Sequence, residues 1–230
     1  MNPFALKTIL SLVSFFFLTQ LSAQHNHLAL TQNHDHGKRD ISFIKNNNQW
    51  HSNVRYKASL GGINTVYLED NAFTYVFSNH EDVEKIHDVL YASDAVRDAH
   101  VIRSHAYKVT FQNAQISTLK GLEKQSEYYN YILGNNPAKW ASFVPLFKQV
   151  KYQNIYKGIE LKTYSSEGHF KYDFIIEAGA NPSQIILDYE GTDGIEIDNG
   201  NLIIYTSVET IIEKQPYAFQ VIEGKERAIN

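Results

Sequence analysis

Ile159-Glu160-Leu161-Lys162-Thr163-Tyr164 alternates apolar and polar side chains. Ser165-Ser166-Glu167-Gly168 interrupts the pattern, and Lys171-Tyr172-Asp173-Phe174-Ile175-Ile176-Glu177 takes it up again. A period of two puts Ile159, Leu161 and Thr163 on one face and Glu160, Lys162 and Tyr164 on the other, as a strand with one buried side requires. Tyr172, Phe174 and Ile176 repeat the arrangement beyond the turn. The same punctuation recurs outward in both directions. Asn181-Pro182 ends the run, Ile185, Leu187 and Tyr189 resume it, and Gly191 to Gly194 turns it. Ile195 and Ile197 lead into Asn199-Gly200, the strongest short hairpin signal in the chain. Leu202 to Tyr205, Val208 to Ile212 and Ala218 to Ile222 continue the series. Upstream, Val66 to Leu68 and Phe73 to Phe77 flank Glu69-Asp70-Asn71, with Phe73, Tyr75 and Phe77 on one face. Tyr107, Val109 and Phe111 alternate with Lys108, Thr110 and Gln112. Strands about every ten residues with turn residues between them predict an all-β, mainly antiparallel, β-sandwich-like domain.

Two segments depart from this pattern. Glu81 to Val96 carries Val83, Ile86, Val89 and Leu90 at helical spacing, with Asn79 placed to cap it. It predicts one short helix inserted between strands. Pro137 to Ala141 predicts a further helical turn, capped by Asn136.

The N-terminus has a different logic. Lys7 is the only charged side chain before an apolar run from Ile9 to Leu18, and Gln20-Leu21-Ser22-Ala23 follows. Residues 1–23 read as a secretory signal cleaved after Ala23. The run is shorter than the roughly 20 apolar residues that span a bilayer. Residues 24–40 read as a flexible His-rich leader and 41–230 as the β domain. With 43% hydrophobic residues the chain has enough apolar material for a core. Its lack of cysteine excludes a disulfide framework and a lipid-accepting thiol. A net charge of −4 with no basic patch argues against nucleic acid as a partner. No second long apolar stretch follows the signal, so no transmembrane anchoring is expected in the mature chain.

Several blocks resemble a known domain. Phe43-Ile44-Lys45-Asn46-Asn47-Asn48-Gln49-Trp50 is similar to its opening, and His105-Ala106-Tyr107-Lys108-Val109-Thr110-Phe111 to its next block. Tyr129-Asn130-Tyr131-Ile132-Leu133-Gly134-Asn135-Asn136-Pro137-Ala138-Lys139-Trp140 and Tyr152 to Leu161 resemble its centre. Lys171 to Phe174, Gly179 to Ile185 and Gln215 to Gln220 complete the series. The resemblance is to an uncharacterised N-terminal β domain of large secreted or surface proteins of Bacteroidetes. In these, SBBP-type β-propeller repeats, PKD-like modules and a gliding-motility-associated C-terminal sorting domain for type IX secretion often follow. Asn48 stands where that domain usually has Gly, and Glu160 where it usually has Asp. The resemblance implies that further strands follow residue 230 and that the β domain is truncated there. It supplies no catalytic residue.

Candidate sites each face a plainer reading. His25, His27, His34 and His36 carry metal-ligand chemistry in a segment without preorganisation, and read as a polar leader. Asp193, Glu196, Asp198, Asn199 and Asn201 offer oxygens that calcium accepts, but not at EF-hand spacing. Glu196 and Asp198 are accounted for as the polar face opposite Ile195 and Ile197. Tyr128, Tyr129, Tyr131, Trp140, Phe143 and Phe147 could form a sugar-stacking platform. Because large rings are mostly buried, these and Trp50 are expected in core and loop packing. Ser117-Thr118-Leu119-Lys120 matches S-x-x-K by letters alone, and Glu160 and Asp173 are expected on a solvated face beside Lys162 and Lys171. No catalytic, cofactor-binding or metal residue is assigned. The expected function is a non-enzymatic module of a secreted or cell-surface protein, serving adhesion, display or assembly, with a cell-surface protein or glycan as partner. The alternative is a carbohydrate-binding module or glycan-acting accessory.

Overall fold

The computed structural model describes residues 40–86, 100–223 and 225–229, together with the backbone of strand β1 (Lys7–Val13). The other residues of the expected export signal, its cleavage position and most of the His-rich leader lie outside this range. So do residues 87–96 of the expected helix.

The alternating stretch at the centre of the sequence forms a hairpin of β9 (Ile159–Ser166) and β10 (His169–Glu177). The strand runs on through Ser165 and Ser166, which the sequence assigned to the turn, and the turn itself is Glu167-Gly168. Both residues have positive φ, 54° and 77°, as a tight two-residue hairpin connection demands. The neighbours of this hairpin build one large antiparallel sheet. Its order runs from β11 (Leu187–Glu190) through β6 (Ser104–Phe111), β5 (Ala72–Ser78), β4 (Asn64–Glu69), β3 (Val54–Gly61) and β2 (Phe43–Lys45) to β8 (Ala141–Tyr156). It continues through β9, β10 and β1 to β15 (Tyr217–Ile222) and β16 (Lys225–Ala228), while β7 (Thr118–Tyr131) pairs with β8. A smaller sheet holds β12 (Gly194–Asp198), β13 (Asn201–Tyr205) and β14 (Thr210–Glu213). The fold is all-β, with one short α-helix, α1 (His80–Glu84), among the described residues.

The large sheet curls so that β5 and β6 face β8 and β10 across an aromatic core. Phe73 lies 4.9 Å from Phe111, 5.6 Å from Phe170 and 5.5 Å from Tyr172, in edge-to-face arrangements. Such pairs set the positive ring edge against the negative face and add to the burial of area. Tyr75 stacks on Tyr107 at 5.0 Å, and Phe111 meets Phe174 at 6.2 Å. The small sheet closes onto the same core through Ile204 and Ile211, which are 0% and 1% exposed.

Local chemistry sets the ends of elements. The Asn79 side chain accepts from the Asp82 N–H and caps α1, and Asn136 does the same for Ala138 in the 3-10 turn Pro137–Lys139. Arg103 donates in a fork to Asp82 at 2.8 and 2.9 Å, tying α1 to the approach of β6. Asn48 has φ of 78°, so it takes the left-handed conformation that glycine takes freely. Asparagine is among the residues that visit this region at low strain.

Two expectations are corrected. The apolar side chains Ile195 and Ile197 are 40% and 78% exposed, because the small sheet meets the core through Ile204 on β13 and Ile211 on β14 and not through β12. Asp173 is 5% exposed rather than solvated, and receives a hydrogen bond from the Tyr164 hydroxyl at 3.2 Å. Glu160 is half-buried opposite Ile175 and pairs with Lys151 at 2.7 Å.

Phe73→Ala is expected to lower stability by about 3–5 kcal/mol, the usual loss for a buried phenylalanine. Urea unfolding would show this as a lower midpoint at constant m. Asn48→Val should destabilise by more than about 1 kcal/mol, while Asn48→Gly should be close to neutral, because a β-branched residue is strained at this φ. Thermal unfolding of the two variants side by side checks the sign.

Candidate functional site

Strand β8 has 16 residues and serves three partners in turn. It pairs with β7 from Ala141 to Gln153, with β2 at Leu146 and Phe147, and with β9 from Gln149 to Tyr156. The half of the β7–β8 hairpin nearer its tip is irregular: the register shifts between Lys124 and Tyr128 and again between Tyr129 and Tyr131. Shifts of this kind re-aim side chains that a regular ladder would send to fixed faces. Here they bring out a set of rings. Tyr128, Tyr129, Trp140 and Phe143 are exposed, as are Ile132 and Leu133 at the tip.

The exposed rings are held in place. Phe143 sits at φ of 55°, a left-handed conformation that is uncommon for a bulky aromatic residue. The Phe143 N–H donates to Asn130 Oδ1 at 2.9 Å, and the ring lies 4.9 Å from that of Tyr128. Trp140 Nε1–H donates to the Gly134 carbonyl at 3.2 Å, which fixes the indole against the tip. Tyr131 reaches back to Trp50 at 5.4 Å, and Trp50 meets Tyr67 at 6.4 Å. Lys57 Nζ stands 5.7 Å from the Trp50 ring and 5.8 Å from the Tyr67 ring, and its burial lowers its pKa. This cluster anchors the hairpin tip to β3 and β4. Nearer the root, Phe147 packs edge-on to Tyr56 at 5.9 Å, and Gly121 leaves it room: a Cβ there would come within 2.5 Å of the ring.

The expectation that the aromatic block packs inside is therefore corrected. Phe147 and Tyr131 are partly covered, as is Trp50, but Phe143 is 69% exposed. Exposed Tyr128 and Tyr129 lie between the two register shifts, and nothing in the order of the letters marks where a ladder shifts.

The other candidates do not converge. Glu196 accepts from the Tyr205 hydroxyl, Asp198 Oδ1 accepts from Asn199 Nδ2 at 3.0 Å, and Asn201 Oδ1 accepts from the Gln215 N–H at 3.2 Å. Among the described residues no group of three or more His, Cys, Asp or Glu is placed to hold a metal ion. His25, His27, His34 and His36 lie outside the described residues. Ser117 is 5% exposed and donates to the Gln115 carbonyl.

Sequence reasoning passed over a further buried carboxylate. Glu213 on β14 is 3% exposed, and its Oε2 accepts from Tyr189 Oη at 3.0 Å and from Tyr172 Oη at 3.4 Å. Burial pushes its carboxyl up to about 7, against the two tyrosine hydrogen bonds, which lower it. Glu213 in turn raises Tyr75 and Tyr107 beyond what burial does alone. Its phase was visible: Ile211 and Glu213 are two apart and share a face.

These features define an all-β module that carries an aromatic, tethered hairpin on its surface. The family model described as "Domain of unknown function (DUF7948)" matches residues 43–230, and the chain belongs to that family. Comparison with curated proteins and with solved structures finds no match. No helix among the described residues is long and apolar enough to cross a membrane.

A carboxyl raised from 4.5 to about 7 on folding binds a proton in the folded state that the unfolded chain has lost. Stability from Glu213 is thus full below pH 4.5 and declines as pH rises to about 7, by of order 3 kcal/mol. Glu213→Gln should flatten the pH dependence of the urea midpoint across this window. An unchanged slope would show that Glu213 does not set it.

Proposed function

We propose that this chain is a non-enzymatic module of a secreted or cell-surface protein, serving adhesion, display or assembly, and that the β7–β8 hairpin makes the contact. One observation carries the reading: Tyr128, Phe143 and Trp140 are exposed together on a hairpin held by hydrogen bonds and by the Trp50–Tyr131 contact. Rigid, exposed aromatic residues bind well because little side-chain entropy is lost when a partner covers them. The signal-like composition of residues 1–23 supports export. The blocks similar to the N-terminal domain of large Bacteroidetes surface proteins support a surface setting linked to type IX secretion and gliding motility.

A glycan is the second reading, favoured by the Trp140 indole, fixed through its N–H with a ring available for stacking on a sugar. Both readings are tested by saturable binding of the labelled protein to producing cells. Tyr128→Ser with Phe143→Ser is expected to weaken binding tenfold or more, as loss of a central aromatic anchor does. Periodate oxidation of the cell surface should leave a protein partner intact and abolish a glycan partner. Equal binding by the wild type and the double variant would rule out the hairpin as the contact element.

A further inference from the structure

A second feature lies between the β3–β4 turn and helix α1, a cavity of about 260 Å³. Three stretches of chain meet there. They are the β3–β4 turn with Gly61, Gly62 and Ile63, the run from the end of β5 into helix α1 with Phe77, Ser78, His80 and Val83, and the approach to β14 with Glu209 and Thr210. Its walls are mainly apolar, from Leu60, Ile63, Phe77 and Val83.

Most of the polar groups at the rim are already engaged. Asn64 Oδ1 accepts from the Ser78 N–H at 2.9 Å, and Ser78 Oγ is bonded to Ser104 Oγ at 2.9 Å. His80 Nε2 pairs with Glu84 at 3.1 Å. Glu209 is the exception. Its Oε1 is buried and has no hydrogen-bond partner among the described residues. The Glu209 backbone is fixed by Thr206, whose hydroxyl receives the Glu209 N–H at 3.0 Å and donates to the Glu209 carbonyl at 2.6 Å. The side chain is thus held at the cavity with one oxygen unsatisfied, an arrangement that is unfavourable unless a donor completes it.

We infer that this cavity binds a small organic ammonium, with the charged nitrogen donating to Glu209 Oε1 and an apolar body of a few carbons against Phe77 and Leu60. The chemistry excludes the other classes. An anion would meet a carboxylate. A divalent metal needs several oxygen ligands, and no group of three or more acidic or histidine side chains is placed for one among the described residues. A sugar needs several free donors and acceptors, and Asn64 Oδ1 and Ser78 Oγ are already engaged. The volume is below the roughly 300–1,000 Å³ typical of drug-sized ligands, which suits an amine with one ring or a short chain. Burial raises the Glu209 pKa and His80 lowers it, so a cation seated at Oε1 would act in the same direction as His80.

The test is a titration of the ¹⁵N-labelled full chain with benzylammonium chloride, followed by amide shifts at neutral pH. Saturable shifts are expected at Gly61, Gly62, Glu209 and Thr210. Glu209→Gln keeps the shape and removes the charge, and should weaken binding tenfold or more, the loss expected for one charge-assisted hydrogen bond. Benzyl alcohol, the neutral analogue, should bind the wild-type chain at least tenfold more weakly than benzylammonium, which tests the charge without relying on the variant. Benzyl alcohol binding as tightly as benzylammonium, a Glu209→Gln chain that binds unchanged, or no saturable shift in the wild type would each overturn the inference.

Discussion

Phe73 is the residue on which the two halves of the curled sheet meet. Its ring stands on β5 and touches Phe111 on the neighbouring strand, but its other neighbours, Phe170, Tyr172 and Tyr152, come from β10 and β8. The chain separating these positions is long, so the contact is made only once the sheet has curled. With no cysteine, no disulfide can hold that curl, and ring packing holds it instead. The small sheet then covers what remains, through Ile204, Ile211 and the Glu213–tyrosine contacts. The hairpin, the cavity near Glu209 and the pH response of Glu213 all presuppose this closure.

The strands themselves are local. β3 to β6 and β7 to β10 follow as successive hairpins, and β12 to β14 as a third set. Only β2 with β8 and β6 with β11 bring distant segments into register among the described pairings of residues 40–223. Those joins carry most of the loop-closure entropy, so they are the expected slow events in folding. Each small set must survive until they form, which is why the turn residues Glu167-Gly168 and Asn199-Gly200 matter: their positive φ values preselect the hairpin connection.

The fold class was legible because alternation and turns are local properties. Tyr172, Phe174 and Ile176 were read as one buried face and are one. Where alternation misled, the reason was position in the sheet. Ile195 and Ile197 alternate as cleanly as Ile159 and Leu161, yet their sheet meets the core through Ile204 and Ile211 on the other two strands, and no local pattern records which strands of a sheet are covered. Asp173 was assigned to water by the same logic and is buried. The aromatic hairpin was legible as a composition and illegible as a surface, because alternation does not record the two register shifts in β7 against β8 or how far the hairpin tip stands from the core. The cavity at Glu209 was invisible, since it assembles segments from three separate parts of the chain. Glu213 was within reach, because its phase with Ile211 was in the letters.

The length of β8 also has a mechanical meaning. The strand that ends in the aromatic hairpin is the strand that bonds β2 and β9 at its other end. A tether fastened to Trp140 or Phe143 would therefore pull along a backbone embedded in the body of the sheet. Force along a strand loads its ladder bonds side by side, so many must break together. Force across a strand opens them one after another, as a zipper opens. Which of the two regimes applies depends on the direction in which a partner pulls on the tip, so the grip of this module would have a grain, strong along β8 and weak across it.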